Sequence, residues 1–275
     1  MLSAQGATSS GVALCLSGVG MHTWVYIDGF NLYYAIRDSG CKWLNIKALT
    51  EAAMPAGIVV EKLKYYTARV SGIADPDQPR RQQIYYNALR TLPEVELFFG
   101  QFLAKAVWRP VLNLPVGDRA IQHGNGPTTL PPDSYPVDPD AAVNGNQRES
   151  LPVGKYGKGN KVRQPAPDAV KALVHVMEEK GSDVNLACHL INDGWAGRYD
   201  AAVVISNDTD LVEPIRIVVQ ELKKPVTLLC PSPFGAAKPL AAVASHVRHI
   251  HAAHLKTSVF PDTVPGTGIT KPANW

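Results

Sequence analysis

The sequence has little of several residue types that would identify a protein class at once. It contains only four cysteines among 275 residues. No two of them form a Cys-x-x-Cys pair, and no histidine lies at zinc-finger spacing, so the sequence supports neither a disulfide framework nor a structural zinc site. Reduced, buried thiols in a cytoplasmic protein are therefore expected.

Long apolar runs and a strong charge excess are also absent. No run reaches the roughly 18 apolar residues that a membrane-spanning helix needs, so we expect no membrane partner. The net charge is +3, with 27 Lys and Arg against 24 Asp and Glu. This excess is too small to indicate a nucleic-acid partner by itself, and any basic surface must be local.

Short apolar runs alternate with helical segments along most of the chain. Residues Trp24 to Ile27 and Ala201 to Ser206 are typical of strands buried on both faces of a parallel sheet. Each is followed by a polar turn and a helix, predicted over Phe30 to Arg37 and Leu211 to Leu222. Further strands are predicted over 59–70, 95–105 and 226–230, with a helix over 78–92. The pattern predicts an α/β fold with a central parallel sheet covered on both faces.

Two segments are predicted to lie outside this domain, and a third to interrupt it. Residues 1–20 form a loose N-terminal leader, and the domain spans 21–256 with a Pro-rich C-terminal tail over 257–275. A Pro- and Gly-rich insertion covers about 109–167 and holds ten of the 22 prolines. Its end is basic, which fits either a solubilising loop or an arm that contacts a phosphate backbone. The candidate substrate contacts at this basic end of the insertion are Lys155, Lys158, Lys161 and Arg163.

Beyond the insertion, residues 172–177 fit a strand or a helix, and the polar Glu178-Glu179-Lys180-Gly181 that follows favours a strand. Ser182 is predicted to cap the next helix, with Asp183 in its first turn. Asp28 follows the first strand, and Asp208 and Asp210 follow the strand at 201–206. If those two strands are neighbours, their carboxylates lie at the same edge of the sheet.

Such a group of carboxylates is unfavourable without a cation, because like charges raise each other's pKa. Oxygen ligands favour Mg²⁺ or Mn²⁺, which can position a phosphodiester and lower the pKa of an attacking water. Each aspartate also has a structural alternative: a turn former, a helix-dipole partner or a cap. Asn31 could cap the first helix or bind a phosphate oxygen or a metal-bound water. Ser206 and Asn207 carry small polar side chains suited to the same rim of the site.

Three motifs carry a resemblance to a known family. They are Val25-Tyr26-Ile27-Asp28-Gly29-Phe30-Asn31-Leu32, Glu179-Lys180-Gly181-Ser182-Asp183-Val184, and Val204-Ile205-Ser206-Asn207-Asp208-Thr209-Asp210-Leu211. Together they resemble the NYN domain proteins of the PIN-like nuclease superfamily, in the branch with LabA-like members. The resemblance implies a three-layer PIN-like, Rossmann-like fold.

The resemblance also implies a function and its residues. It implies an endoribonuclease that uses Mg²⁺ or Mn²⁺ to hydrolyse RNA, single-stranded RNA above all. Asp28, Asp183, Asp208 and Asp210 would hold the ion, and Asn31 matches the polar residue of the first motif. Lys180, in the second motif, is a further candidate contact for the substrate. A regulatory NYN module that binds RNA or protein without cleaving it is the alternative, and a homodimer is compatible with either.

Overall fold

We describe the protein from a computed structural model. It describes residues 21–70, 75–111 and 170–275, together with the short strand segments 120–123, 126–129, 154–155 and 162–163. Side chains are described for residues 21–70, 75–102 and 179–275. The predicted leader over 1–20 and most of the predicted insertion lie outside the described residues.

The described chain contains a large sheet and two small strand pairs. The strands are β1 (Thr23–Asp28), β2 (Val60–Ala68), β3 (Val95–Val111), β4 (Ala120–His123), β5 (Gly126–Thr129), β6 (Gly154–Lys155), β7 (Val162–Arg163), β8 (Val170–Lys180), β9 (Ala201–Ile205), β10 (Val226–Cys230) and β11 (His246–His249). The α-helices are α1 (Gly29–Ile36), α2 (Ile46–Ala53), α3 (Gln78–Leu89), α4 (Ser182–Trp195), α5 (Val212–Arg216), α6 (Lys238–Val243) and α7 (Ala252–Thr257).

Seven strands form the large sheet in the order β11-β10-β9-β1-β2-β3-β8. The first six in this order are parallel to their neighbours, and β3 and β8 are antiparallel. The helices lie on both faces of the sheet. The predicted α/β fold with a central sheet covered on both faces is therefore confirmed, and β1 and β9 are neighbours as the site hypothesis requires.

The antiparallel edge corrects the prediction of a parallel sheet throughout. Residues 172–177 do form a strand, but β8 runs back along β3 from Val170, opposite Val111, to Lys180, opposite Gln101. An antiparallel pair needs no crossover helix, so β3 and β8 can flank the intervening segment directly. As a result, β3 continues to Val111, slightly beyond the predicted start of the insertion.

Alternation along β1 places its side chains in two cores. Val25 and Ile27 pack in the core beneath α1, α2, α3 and α7, whereas Tyr26 packs in the core beneath α4, α5 and α6. All three side chains are fully buried, as expected for a central strand covered on both faces. The C-terminal segment predicted as a tail contributes Phe260, Val264 and Trp275 to the first core.

The segment predicted as one helix over Leu211 to Leu222 contains three helical types. A 3-10 turn over Thr209–Leu211 precedes α5, and a π-helical segment over Ile217–Glu221 follows it. Pro214 lacks an N–H donor, and the N–H of Leu222 bonds to the carbonyl of Ile217, so the regular pattern is lost on both sides. The periodicity still buries Ile215 and Val218.

A buried ionic network ties β2 to α4. The carboxylate of Asp193 accepts hydrogen bonds from Lys64 Nζ (2.5 Å), Tyr26 Oη (2.8 Å) and Arg198 Nη1 (2.6 Å). The side chains of Lys64 and Asp193 are only 8% and 1% exposed. Burial alone would raise the pKa of Asp193, but these three donors hold it below its usual range.

Candidate metal centre

Three of the four predicted aspartates meet at one edge of the sheet. Asp28 ends β1, Asp208 follows the neighbouring strand β9, and Asp183 lies in the first turn of α4. One carboxylate oxygen from each lies within 4.8 Å of those of the other two. This group of three is the carboxylate cluster, and its hard oxygen donors fit a divalent cation such as Mg²⁺ or Mn²⁺.

Asp28 is the buried member of the carboxylate cluster. Its side chain caps α1, because Oδ1 accepts a hydrogen bond from the backbone N–H of Asn31 at 2.9 Å. Its other oxygen accepts a hydrogen bond from Ser206 Oγ, also at 2.9 Å. Burial raises the pKa of Asp28 despite these two donors. The carboxylate therefore has a fixed orientation and an unfavourable charge in the absence of a cation.

Ser206 connects two members of the cluster. Its hydroxyl donates to Asp28 and accepts a hydrogen bond from the backbone N–H of Asp208 at 3.0 Å. Asp208 in turn accepts a hydrogen bond from the N–H of Asp210, again at 3.0 Å. Ser206 is fully buried, so its role here is to position Asp28 and Asp208.

Asp210 lies apart from the cluster of three. It is exposed in the 3-10 turn after Asp208, and its charge contributes to raising the pKa of Asp183. Asp210 therefore influences the cluster through its charge, but it is not one of the three carboxylates that meet.

Asp183 has the most strongly shifted carboxyl group in the cluster. Burial and the neighbouring charges of Asp28 and Asp208 raise its pKa to about 7. Glu179 and Asp210 add to the same effect. A cation bound between these groups would offset the repulsion and favour the deprotonated form.

The start of α4 differs from its prediction. Gly181, with a left-handed φ of 94°, is the N-cap, and Ser182 is the first residue of the helix. The carboxylate of Glu179 accepts a hydrogen bond from the N–H of Ser182 at 3.0 Å, as acidic groups do at helix N-termini. Glu179 therefore orients the turn that carries Asp183, a role that the sequence analysis missed although the residue lies in the second motif.

The two asparagines near the cluster hold backbone segments together. Asn31 Oδ1 accepts a hydrogen bond from the N–H of Asn207 at 3.0 Å. The side chain of Asn207 accepts from the N–H of Ala237 at 2.8 Å and donates to the carbonyl of Gly235 at 3.3 Å. Both amides thus position the loop after β9.

The predicted basic contact residues are only partly described. Lys180 is exposed at the end of β8, three residues before Asp183. Lys155 lies in β6 and Arg163 in β7, but their side chains are outside the described residues, and Lys158 and Lys161 are outside them altogether. Among the cysteines, Cys41 and Cys230 are buried as expected, whereas Cys188 is exposed on α4.

Comparison with known proteins gives one curated relative and one solved structure. No protein-family model matches the sequence. The chain is 25% identical over 280 residues to 6-hydroxy-3-succinoylpyridine 3-monooxygenase HspA of Pseudomonas putida, an alignment covering 93% of this chain and 75% of the relative. A crystal structure of a protein of unknown function from Vibrio parahaemolyticus is similar with a TM-score of 0.44 and 14% identity, covering 84% of this chain and 94% of that one.

Among the helices of the described ranges, none combines the length and the apolar character needed to cross a bilayer.

The raised pKa of Asp183 predicts a pH-dependent stability that a cation should reverse. In the folded protein the group titrates near pH 7, against a usual value of 3.8, so stability without metal falls as pH rises from about 4 to 7. Mn²⁺ needs the deprotonated carboxylate, and its stabilising effect should therefore be larger at pH 8 than at pH 5.5. At a concentration 100-fold above Kd we expect about 2.7 kcal/mol, or about 5–10 °C in Tm.

Thermal unfolding with and without MnCl₂ at the two pH values measures this effect. Asp183→Asn should remove most of the pH dependence of the Mn²⁺ shift, whereas Asp262→Asn, at an exposed ion pair with Lys271, should retain it. An equal Mn²⁺ shift at both pH values in the wild-type protein would contradict the assignment of Asp183.

Proposed function

We propose that the protein is a metal-dependent ribonuclease of the PIN-like type, with Asp28, Asp183 and Asp208 holding Mg²⁺ or Mn²⁺. The observation that carries this proposal is the approach of their three carboxylates to within 4.8 Å, at the ends of two adjacent strands and the start of α4. The resemblance of the three motifs to NYN domain proteins supplies the choice of RNA. When bound, the cation would lower the pKa of an attacking water and offset charge on the phosphate.

The protein's own residues have distinct roles in this proposal. Asp28 and Asp208 are oriented by Ser206, and Asp183 is oriented by the start of α4. Asp210 adds negative charge nearby. Lys180, exposed next to the turn that carries Asp183, is a candidate contact for the phosphate backbone.

The proposal is tested by incubating the purified protein with labelled single-stranded RNA and with DNA of the same sequence. Cleavage of RNA in Mg²⁺ or Mn²⁺, abolished by EDTA and restored by excess metal, is the expected result. Tight RNA binding without cleavage in either metal would instead favour the regulatory binding module. Products cut within a strand labelled at both ends would identify endonucleolytic cleavage.

The curated relative favours a second candidate function, oxygenation of a hydroxylated pyridine. That relative is a monooxygenase by name, and the alignment covers 93% of this chain. Such a reaction adds one atom of O₂ to the ring and reduces the other to water with two electrons from a reductant. Incubation with 6-hydroxy-3-succinoylpyridine, O₂ and reduced nicotinamide cofactor, followed by mass spectrometry of the pyridine product, tests it directly. Ring oxygenation without RNA cleavage would replace the first proposal.

A further inference from the structure

An aromatic cavity of about 220 Å³ lies next to the carboxylate cluster. It is formed mainly by residues of α1, β2, β3 and α3, together with the C-terminal segment. Gly29, the residue after Asp28, lines it. The aromatic residues that matter most for its shape are Phe30, Tyr33, Tyr65, Tyr85, Phe102 and Trp275.

The walls of this aromatic cavity are held in place by ring packing. Phe30 and Phe102 meet edge to face with centroids 5.6 Å apart, and the rings of Tyr85 and Trp275 are 5.2 Å apart. Tyr65 is almost fully buried, and a Cβ added at Gly29 would lie only 2.7 Å from its ring. A wall fixed in this way loses little conformational entropy when a ligand binds.

The size of the cavity suits a single planar ring. An engineered protein cavity of about 150 Å³ is large enough for benzene. A volume of about 220 Å³ thus has room for one ring and its substituents. Aromatic walls favour a planar aromatic ligand, because rings pack well in stacked or edge-to-face contacts.

The charge of the lining favours a ligand with a negative substituent. Lys42 and Arg81 line the cavity, and no acidic side chain does so among the described residues. Arg81 forms an ion pair with Asp75, which is 43% exposed and does not line the cavity. A guanidinium has five N–H donors, so this pair leaves others for a phosphate or carboxylate.

We propose that the aromatic cavity binds a planar aromatic ring carrying an anionic group. Two sources share this chemistry: the base of a nucleotide, with its phosphate, and a free hydroxypyridine with a carboxylate. The site goes beyond the proposed ribonuclease, since ring binding requires neither RNA cleavage nor a metal ion, and its hydroxypyridine form rests on the second candidate function.

Isothermal titration calorimetry of the full chain in EDTA tests the proposal without any contribution from a metal ion. The probes are uridine 5′-monophosphate, 6-hydroxynicotinate and the uncharged nucleoside uridine. Saturable binding of either anionic ring, with uridine about tenfold weaker than its monophosphate, is expected. Preference for the nucleotide identifies a base-binding site, and preference for 6-hydroxynicotinate identifies a small-molecule site.

Substitutions of lining residues test whether the ligand binds in this cavity. Val70→Trp, at a half-buried lining position, should abolish binding by filling the space. Arg81→Gln should weaken both anions about tenfold, whereas Arg80→Gln, exposed on the same helix and outside the lining, should not. Tyr33→Ala, at a 40% exposed position, should also weaken binding and provides a second test should Val70→Trp fail to fold.

Two results would overturn the proposal whatever the outcome of the RNA assay. One is the absence of saturable binding for both anionic probes at millimolar concentration. The other is binding that the Val70, Arg81 and Tyr33 variants all leave unchanged.

Discussion

Replacing Asp208 with asparagine is expected to reduce Mn²⁺-dependent RNA cleavage by about a thousandfold. The substitution removes one charge from the cluster whose oxygens lie within 4.8 Å of each other, and an amide is a poorer ligand for a hard cation. Charge stabilisation by a bound metal contributes several kcal/mol, and each 1.36 kcal/mol corresponds to a factor of ten in rate. Single-turnover cleavage of a labelled RNA measures the loss.

Asp208 is a better position for this test than Asp28, because its substitution disturbs fewer hydrogen bonds. Both oxygens of Asp28 accept hydrogen bonds, from Asn31 and from Ser206, so an asparagine there would place an amide N–H against a donor. Loss of activity at Asp28 would then include a local rearrangement. Asp38→Asn, at a carboxylate that is 89% exposed, is the matched control and should retain full activity. An Asp208→Asn variant as active as this control would contradict the proposed centre.

Replacing Asp193 with asparagine is expected to lower the free energy of unfolding by about 3–5 kcal/mol. The change leaves Lys64, whose side chain is 8% exposed, without its negative partner between β2 and α4. Removing one member of a buried pair is costly because the remaining charge keeps its desolvation penalty. Urea unfolding followed by circular dichroism measures the difference.

Two further variants separate the buried pair from a general effect of charge removal. Asp38→Asn breaks an exposed pair with Arg37 and should cost less than about 1 kcal/mol. The double variant Lys64→Met and Asp193→Asn should recover more than half of the loss, since it removes the unpaired cation and keeps an acceptor for Tyr26. A double variant no more stable than Asp193→Asn alone would show that the cost lies elsewhere.

The elements that follow a simple periodicity could be predicted from the sequence. Strands β1 and β9 are continuous apolar runs, each followed by a polar turn and a helix, whereas their adjacency in the sheet is a condition of the site hypothesis that local patterns do not determine. The meeting of Asp28 and Asp208 could be expected on that condition, because parallel neighbours end at one edge. The approach of Asp183 depended on the position of a helix start, for which the motif resemblance was the main guide.

Other features depend on contacts between distant segments, which local patterns do not encode. The antiparallel edge β3–β8 joins strands on either side of a long Pro-rich segment. His246 and His249 lie in β11, a strand that is defined by its pairing with β10. The aromatic cavity is of the same kind, because its wall brings together tyrosines from three elements that differ in exposure: Tyr65 and Tyr85 are buried, whereas Tyr33 is 40% exposed.

The hydrogen bond between Ser206 and Asp28 also has a consequence for folding. These residues are separated by 178 positions, so the cluster cannot form until β9 has docked beside β1. Closing so long a loop is entropically costly and slow compared with forming local helices. Cation affinity should therefore arise late in refolding, and the rate at which Mn²⁺ binding appears would report the pairing of these two strands, which are distant in sequence.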